Sequence, residues 1–142
     1  MTESNYKIIG KYLNNTQFEI PNADIFYKLD VHIKDYKINL DIKTAKLKDN
    51  VFQINTTLAL LRTEETKEKI TVNVSLATIV EITKNGLSEN DLRKIFLISI
   101  PQAAYPDLRS TIILLFEKSG FKNIQIEQNI DFEKLYLQKY PN

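Results

Sequence analysis

The sequence predicts an α+β fold, in which helices pack on one face of an antiparallel β-sheet. Through the first half of the 142-residue chain, apolar residues recur at every second position, whereas the second half follows the period of amphipathic helices. The polar joins between the alternating runs are short. Short joins favour antiparallel neighbours, because parallel strands need a longer crossover.

Four segments of the first half are predicted strands. In the clearest, Val72, Val74 and Leu76 alternate with asparagine and serine. The first strand is less regular and ends at Pro21, because proline cannot donate to a ladder. The predicted strands cover residues 6–20, 38–42, 52–60 and 70–82, and polar joins cover 47–50 and 63–69.

The first predicted helix of the second half begins at Ser88. Asp91 completes a capping box with Ser88, and Leu87 and Leu92 occupy the positions of a hydrophobic staple. This helix is expected to end at Pro101, because proline interrupts the hydrogen bonds of a helix.

Two more helices are predicted after Pro101. One begins near Pro106, a residue suited to a first helical turn, and stops at Gly120. Asp131 caps the last one. Between them, residues 121–130 carry alternating isoleucines and fit either a fifth strand or an ordered crossover loop.

The composition argues against an enzyme. The chain has no cysteine, one histidine and three glycines, so a thiolate metal site and a glycine-rich phosphate loop are excluded. We therefore expect no metal and no cofactor. Nineteen basic against eighteen acidic residues leave a formal charge of +1, which argues against a nucleic-acid partner.

No membrane insertion is expected either. The longest apolar run, Ile112–Phe116, is far shorter than a membrane span, and the polar N-terminus does not resemble a signal peptide. We expect one cytoplasmic domain over residues 1–142.

The remaining polar candidates favour ordinary structural roles. His32 is expected to be a surface or satisfied histidine, and Arg109 either binds an anion or forms an inter-helix salt bridge. Four tyrosines interleaved with lysines resemble a single-strand platform, which the balanced charge disfavours. These tyrosines are Tyr6, Tyr12, Tyr27 and Tyr36. Asp30, Asp35 and Asp41 are expected on a solvated strand face.

Several segments, taken in order, resemble the SecB protein-export chaperones. Residues 17–23 are similar to the family's "SFEAPNAP" segment, and residues 40–45 to its "LDLDTA" strand. In the stretch from Pro101, Tyr105-Pro106 and Arg109 are spaced as in the family's "CPNILFPYAR". The resemblance spans roughly residues 6–140.

This resemblance implies a SecB-like fold: a four-stranded antiparallel sheet with helices packed on one face and a crossover loop between the last two helices. It also implies an ATP-independent holdase that binds unfolded precursor proteins and hands them to SecA. The expected client surface lies between the sheet, the crossover loop and the last helix. Its candidate residues, each of which could instead be core, are Phe26, Tyr27, Leu29, Phe121, Ile124, Ile126, Phe132 and Tyr136.

Members of this family are dimers of dimers whose long helices pack between subunits. Ile113 and Leu114 lie off the main apolar stripe of their predicted helix and suggest a subunit contact, although a helix buried in its own domain is the alternative. The candidate interface comprises Ile112, Ile113, Leu114 and Phe116.

Departures from the family concern delivery to SecA. Glu19 is kept as a candidate SecA contact, but Asn15 and Asn73 stand at two positions that are acidic in the family. The acidic C-terminal tail that family members use on SecA is expected to be absent, since the sequence stops at Asn142. Client holding therefore transfers better than SecA binding. A SecB-like chaperone of a toxin–antitoxin module is the alternative role, and a small-ligand carrier is the alternative from another class.

Overall fold

A computed structural model of the chain describes residues 5–63 and 68–140. Its elements are β1 (Tyr6–Glu19), α1 (Ala23–His32), a 3-10 turn (Ile33–Asp35), β2 (Tyr36–Lys48), β3 (Val51–Arg62), β4 (Thr71–Ile82), α2 (Glu89–Lys94), a π-helical turn (Ile95–Ser99), α3 (Ile100–Ser119) and α4 (Phe132–Lys139). The strands form one antiparallel sheet in the order β1-β4-β3-β2. The predicted fold class is confirmed, and β1 and β2 are the two edges of the sheet.

The two faces of the sheet differ because successive strand residues point to opposite sides. On one, the helix face, Leu58 on β3 lies opposite Val74 on β4, and both are buried against α3. On the other, the polar face, Thr57 and Ser75 share a hydrogen bond of 2.7 Å. In the described part of the chain the helices therefore pack on the apolar side, as the sequence predicts.

The main core lies between α3 and the helix face. Leu108, Ile112 and Phe116 recur every fourth residue along α3 and are fully buried. The Phe116 ring contacts Phe18 of β1 edge-on, with ring centroids 5.0 Å apart. Burying each such side chain contributes about 1.5–3 kcal/mol to folding, so α3 is firmly fixed on the sheet.

Helix α1 was not predicted from the sequence. Asn22 caps it by accepting a hydrogen bond of 2.9 Å from the Ile25 amide, and only Leu29 on the helix is buried. A single buried position gives no helical period, which is why the pattern was missed. Asp30 therefore lies on a helix rather than on the predicted strand face. Asp35 lies in the 3-10 turn, and only Asp41 is on a strand.

The predicted break between Pro101 and Pro106 is wrong. The helical path continues from Glu89 to Ser119, and α3 already begins at Ile100. In the π-helical turn the Ile100 amide donates to the Ile95 carbonyl, which shifts the hydrogen-bond register just before Pro101. This shift lets the helix pass a residue that lacks an N–H.

The predicted caps are present. The Ser88 side chain accepts from the Asp91 amide at 3.0 Å, and the Asp91 carboxylate accepts from the Ser88 amide at 3.4 Å. Gly120 ends α3 with φ 99°, a left-handed conformation that favours glycine. Asp131 accepts from the Lys134 amide at 2.9 Å and caps α4.

Residues 121–131 form an ordered crossover segment, not a fifth strand. Of the two alternatives left open by the sequence, the loop is therefore the one observed. Within the predicted join at 63–69, residues 64–67 lie outside the described residues.

Candidate functional site

Helix α4 is held beside β2 by its buried side. Phe132 and Tyr136, one turn apart, are buried, and the Tyr105 ring of α3 contacts Phe132 at 6.1 Å between centroids. The Tyr136 hydroxyl donates a hydrogen bond of 2.9 Å to Asn90 of α2. These contacts fix the distance between α4 and the sheet edge.

A groove, the α4 groove, runs between β2, the π-helical turn and α4. It consists of two adjacent cavities of about 230 and 390 Å³ that share part of their lining. Leucine, isoleucine and aromatic side chains make up most of its walls: Leu40, Ile42, Leu97, Leu135, Tyr136 and Tyr140. Because β2 is an edge, its outer main-chain groups have no partner strand in the described part of the chain, and they border this groove.

Two cations stand at one end of the α4 groove. The Arg93 guanidinium lies 4.7 Å from the centre of the Tyr140 ring, and the Lys139 ammonium lies 5.8 Å from it. Among the described residues neither cation has a carboxylate within ion-pair distance. Glu89 also lines this end. The Tyr140 ring in turn contacts the Tyr136 ring of α4, with the two ring centroids 5.1 Å apart and the rings tilted by 32°.

The crossover segment is clamped to α3 by two side chains one turn apart. The Tyr105 hydroxyl donates to the Glu127 carbonyl, and Arg109 Nε donates to the Ile126 carbonyl at 3.1 Å. Burial raises the pKa of Tyr105 above its ordinary value, while the Arg109 charge opposes part of that shift. Tyr105 therefore stays a protonated donor at neutral pH. Arg109 was expected to bind an anion or a carboxylate, and its observed partner is a backbone carbonyl.

The predicted client residues fall into two groups. Tyr27 is the most exposed of them at 84%, Phe26 is also exposed, and Ile124 is half-buried. The other five are packed inside the subunit: Leu29, Phe121, Ile126, Phe132 and Tyr136. Within the subunit these five follow the core alternative, although Tyr136 also lines the α4 groove.

Sequence reasoning missed several groove residues. Leu40 and Ile42 were predicted on a strand, and Leu135 on the last helix, but none was proposed for binding. Their periodicity is that of ordinary core positions. The sequence contains no signal for which side of a strand stays unpaired, so the open edge of β2 cannot be predicted from it.

The predicted interface residues are also divided. Ile112 and Phe116 are fully buried in the subunit core, so their side chains are not available to another subunit. Ile113 is half-buried and Leu114 is exposed. Of the four predicted interface residues, Ile113 and Leu114 therefore remain candidates for a contact with another subunit. Edge strand β1 adds a further exposed apolar set: Ile8, Ile9, Tyr12 and Leu13.

The three positions considered for SecA lie together on the polar face. Across the β1–β4 pair, Asn15 lies opposite Ser75, Gln17 opposite Asn73 and Glu19 opposite Thr71. Glu19 is exposed, whereas the Asn73 side-chain oxygen is buried without a hydrogen-bond partner in the described part of the chain. This face is thus rich in amides and hydroxyls and carries few charges at its centre.

His32 belongs to a small polar cluster at the end of α1. Its Nδ1 lies 3.3 Å from Arg62 and 3.6 Å from the Asp35 carboxylate, and Arg62 lies 3.8 Å from the same carboxylate. The histidine is therefore satisfied by neighbours, as expected. Among residues 5–63 and 68–140 no group of three or more histidine, aspartate or glutamate side chains is placed to hold a metal ion.

The tyrosines predicted as a possible platform are dispersed. Tyr36 is buried, and its hydroxyl accepts from the Ile70 amide at 3.0 Å. Tyr12 donates to Gln53 on the polar face at 2.8 Å, and Tyr27 projects from α1. Stacked binding of successive bases needs a row of exposed rings, which these residues do not form.

Comparison with known proteins gives one consistent family. The family model described as "Preprotein translocase subunit SecB" matches residues 1–142. A SecB relative from Pelagibacter ubique (strain HTCC1062) is 32% identical over 139 residues, covering 98% of this chain and 99% of the relative. The protein-export protein SecB of Albidiferax ferrireducens is 25% identical over 134 residues, covering 94% and 84%.

The fold is also similar to a solved structure. The Mycobacterium tuberculosis Rv1957 SecB-like chaperone, in complex with a ChAD peptide from the Rv1956 HigA1 antitoxin, superposes with a TM-score of 0.63. It is 14% identical, and the match covers 87% of this chain and 90% of that one. At this identity the likeness concerns the fold. Separately, no helix in the described residues is long and apolar enough to cross a membrane.

Proposed function

This chain belongs to the SecB family, and from that membership we propose that it is an ATP-independent holdase chaperone. In this proposal it binds unfolded precursor polypeptides in the cytoplasm and keeps them competent for translocation through the Sec export pathway. The chain acts as one SecB-like domain over residues 1–142. It needs no cofactor and catalyses no reaction, because holding a chain unfolded requires binding surface alone.

The observation that carries the proposal is the α4 groove. An unfolded polypeptide offers apolar side chains and unpaired main-chain groups, and a useful holdase must bind both without demanding one sequence. The groove provides an apolar wall from Leu40, Ile42 and Leu135 beside the open main chain of β2. Main-chain pairing along an edge strand is sequence-tolerant, and pockets for alternate side chains add affinity.

Aggregation of a chemically denatured or reduced client tests this function directly. The purified protein should slow light scattering by the client in the absence of ATP, in proportion to its concentration. A small-ligand carrier would leave scattering unchanged, because its binding site would be an internal pocket rather than an open groove. No suppression with several unrelated clients would contradict the proposal.

Assembly is the second part of the proposal. We propose a homotetramer, a dimer of dimers of about 66 kDa, or four times the 16.5 kDa chain mass. The exposed Leu114, the half-buried Ile113 and the exposed apolar residues of β1 support it, since exposed large apolar side chains are candidates for contacts between subunits. Ile113→Asp should weaken assembly, because an unpaired charge in an apolar contact costs several kcal/mol.

The third part of the proposal concerns the SecA motor. Glu19 is the remaining acidic candidate among the three positions considered, because Asn15 and Asn73 stand where the family has acidic residues. We propose weak, salt-sensitive SecA binding centred on Glu19. Complementary charge mainly raises the association rate, so its loss weakens the encounter.

The loss of acidic residues at positions 15 and 73 favours a second role, that of a dedicated chaperone for the antitoxin of a toxin–antitoxin module. Such a chaperone holds an aggregation-prone polypeptide but has no need of the motor. Titration with SecA at low salt separates the two roles: measurable binding supports general export, and no binding favours the dedicated role.

A further inference from the structure

We propose that the β2 edge selects extended client segments that carry acidic side chains at the two ends of an alternating apolar core. The proposal rests on the holdase function above and names the class of segment that it prefers. It follows from the charges along β2, from the partners that these charges lack, and from the cations of the α4 groove.

β2 is a basic strand. Between Tyr36 and Lys48 it carries four lysines against one aspartate, and all five side chains are exposed. The lysines are Lys37, Lys43, Lys46 and Lys48, and the aspartate is Asp41.

These lysines have no acidic partner across the strand pair. Lys37 lies opposite Leu61 and Lys43 opposite Asn55, while Lys46 and Lys48 lie opposite Phe52 and Val51. Among residues 5–63 and 68–140, Lys46 is the one of these four lysines that approaches a carboxylate, that of Asp49 at 3.9 Å. Lys37 and Lys43 thus have uncharged neighbours on β3 and are available to a strand added on the open side of β2. Acidic residues on that strand would stabilise the pairing, because opposite charges directly across a strand pair attract each other.

The register of β2 specifies the pattern of that added strand. Lys37 and Lys43 point to the polar face six residues apart, and Asp41 points the same way between them. Acidic residues fit opposite the two lysines, and a neutral residue fits opposite Asp41. The alternate side chains face Ile38, Leu40 and Ile42, two of which line the α4 groove, and should be apolar.

The groove reinforces this preference at one end. Arg93 and Lys139 lie beside Ile42 and Thr44, next to Lys43 in the chain, while Glu89 is the acidic residue at that end. Near the other end, Asp35 is already engaged with His32 and Arg62. Cations therefore approach the same end of the added strand from both faces of the sheet.

The lysines also keep β2 from pairing with a second copy of itself. Another copy carries the same basic strand, and like charges directly opposite are destabilising. Lysines on an edge strand are a common protection against edge-to-edge association. The same charges thus reject a like strand and accept an acidic one.

Peptides of matched apolar content test the proposal. The first is Glu-Leu-Ser-Ile-Thr-Val-Glu with blocked ends and a fluorescent label. In the second, lysine replaces both glutamates, and in the third, glutamine replaces them. By anisotropy at low salt the acidic peptide should bind about tenfold tighter than the basic one, the size expected for a few cross-strand charge pairs. High salt should narrow the gap to about twofold, because exposed charges are screened.

Charge reversal on the protein supplies the second arm. Lys37→Glu with Lys43→Glu should reverse the peptide preference and leave the molecular mass in solution unchanged. The matched control, Lys84→Glu with Lys122→Glu, changes the net charge equally at exposed positions away from β2 and should keep the preference for the acidic peptide.

The outcomes separate the two levels of the proposal. Equal binding of the three peptides, or a preference that survives reversal of Lys37 and Lys43, overturns the selectivity and leaves the holdase function standing. A change of oligomeric state in the β2 variant overturns it too, because a second copy would then occupy this edge. If no peptide binds and no client is held, the holdase proposal falls and the selectivity with it.

Discussion

The two edge strands of one sheet have opposite chemistry. β1 exposes Ile8, Ile9, Tyr12 and Leu13 together with two lysines, whereas β2 exposes four lysines and a single large apolar residue, Leu47. In the described part of the chain neither edge has a partner strand on its outer side, although the pairing of β1 has two register shifts and that of β2 has one. This difference shows how exposed side chains determine which strand can add to a sheet edge. Exposed apolar residues favour a second copy of the chain, and a row of lysines disfavours one.

The neighbours of the two edges differ as well. Beside β2, α4 and the π-helical turn form the walls of the α4 groove. Near β1, α3 contributes the ion pair from Asp107 to Lys11 at 2.7 Å and the buried Phe116, which packs on Phe18. An added strand at β2 would thus contact a lined groove, and one at β1 would contact exposed apolar side chains beside the Lys11–Asp107 ion pair.

The largest expected effect tests the assignment of β1 to assembly. Leu13 on β1 and Leu47 on β2 are both 52% exposed, which makes them a matched pair. Leu13→Asp should dissociate the proposed tetramer, because an unpaired charge in an apolar contact costs several kcal/mol, and Leu47→Asp should leave it intact. Light scattering at tens of micromolar measures the mass. A tetrameric Leu13→Asp variant, or a dissociated Leu47→Asp variant, would contradict the comparison.

The next effect tests the groove side of β2. Leu135 lines the α4 groove and is 43% exposed, while Leu137 on the same helix is 40% exposed and lies outside the groove. Leu135→Glu should weaken client binding about tenfold, the loss expected when one leucine contact becomes charged, and Leu137→Glu should change it less than twofold. Binding of a labelled unfolded client measures both. Equal effects would show that clients do not use this groove.

A smaller effect concerns the clamp that positions the crossover segment and, through it, α4 beside β2. Burial raises the pKa of Tyr105, so its folded-state pKa lies above the unfolded value of 10.0. The protonated clamp therefore stabilises the fold below about pH 10, and this contribution is lost as the pH rises through the folded pKa.

Removing the hydroxyl isolates this contribution. Tyr105→Phe should lower the free energy of unfolding by about 1 kcal/mol at neutral pH, as expected for one hydrogen bond. The difference between the natural chain and the variant should shrink above pH 10. Denaturant titrations at pH 7 and pH 10.5 measure it, and a difference that stays constant with pH would argue against a clamp made by the protonated hydroxyl.

The smallest effect concerns the polar face of β1. Asn15→Asp should strengthen SecA binding a few-fold at low salt and Glu19→Gln should weaken it, and salt should erase both changes because exposed charges are screened. Isothermal titration against SecA measures them. Tight, salt-insensitive binding of the natural sequence would mean that the motor uses another surface.

Much of the fold was predictable because its signals are local. Alternation predicted β3 and β4, whose helix-face residues are buried apart from the half-buried Phe52 and Arg62 at the ends of β3. The capping pairs at Ser88 and Asp131 and the stop at Gly120 were also found, since each depends on residues only a few positions apart. Local signals fail where a helix buries little, as in α1, or where a distortion depends on its surroundings, as at Pro101.

The candidate site was predicted less well, because burial depends on partners far away in sequence. Phe121, Phe132 and Tyr136 have the composition of a binding surface, yet all three are buried, Phe121 and Phe132 in the main core and Tyr136 beside Asn90 of α2. The groove residues Leu40 and Leu135 are 95 positions apart in sequence and meet only in the folded chain.

By itself, the sequence determined the secondary-structure pattern, the α+β class, the near-neutral charge and the resemblance to SecB, since all of these are written in residue type and short spacing. Only the tertiary structure decided the strand order, and with it which two strands became edges. The order β1-β4-β3-β2 places β1, with its exposed apolar residues, and β2, with its four lysines, at opposite edges of the sheet. The physical reason is that strand pairing and helix packing join residues distant in the chain, and a strand stays open only where no partner reaches it.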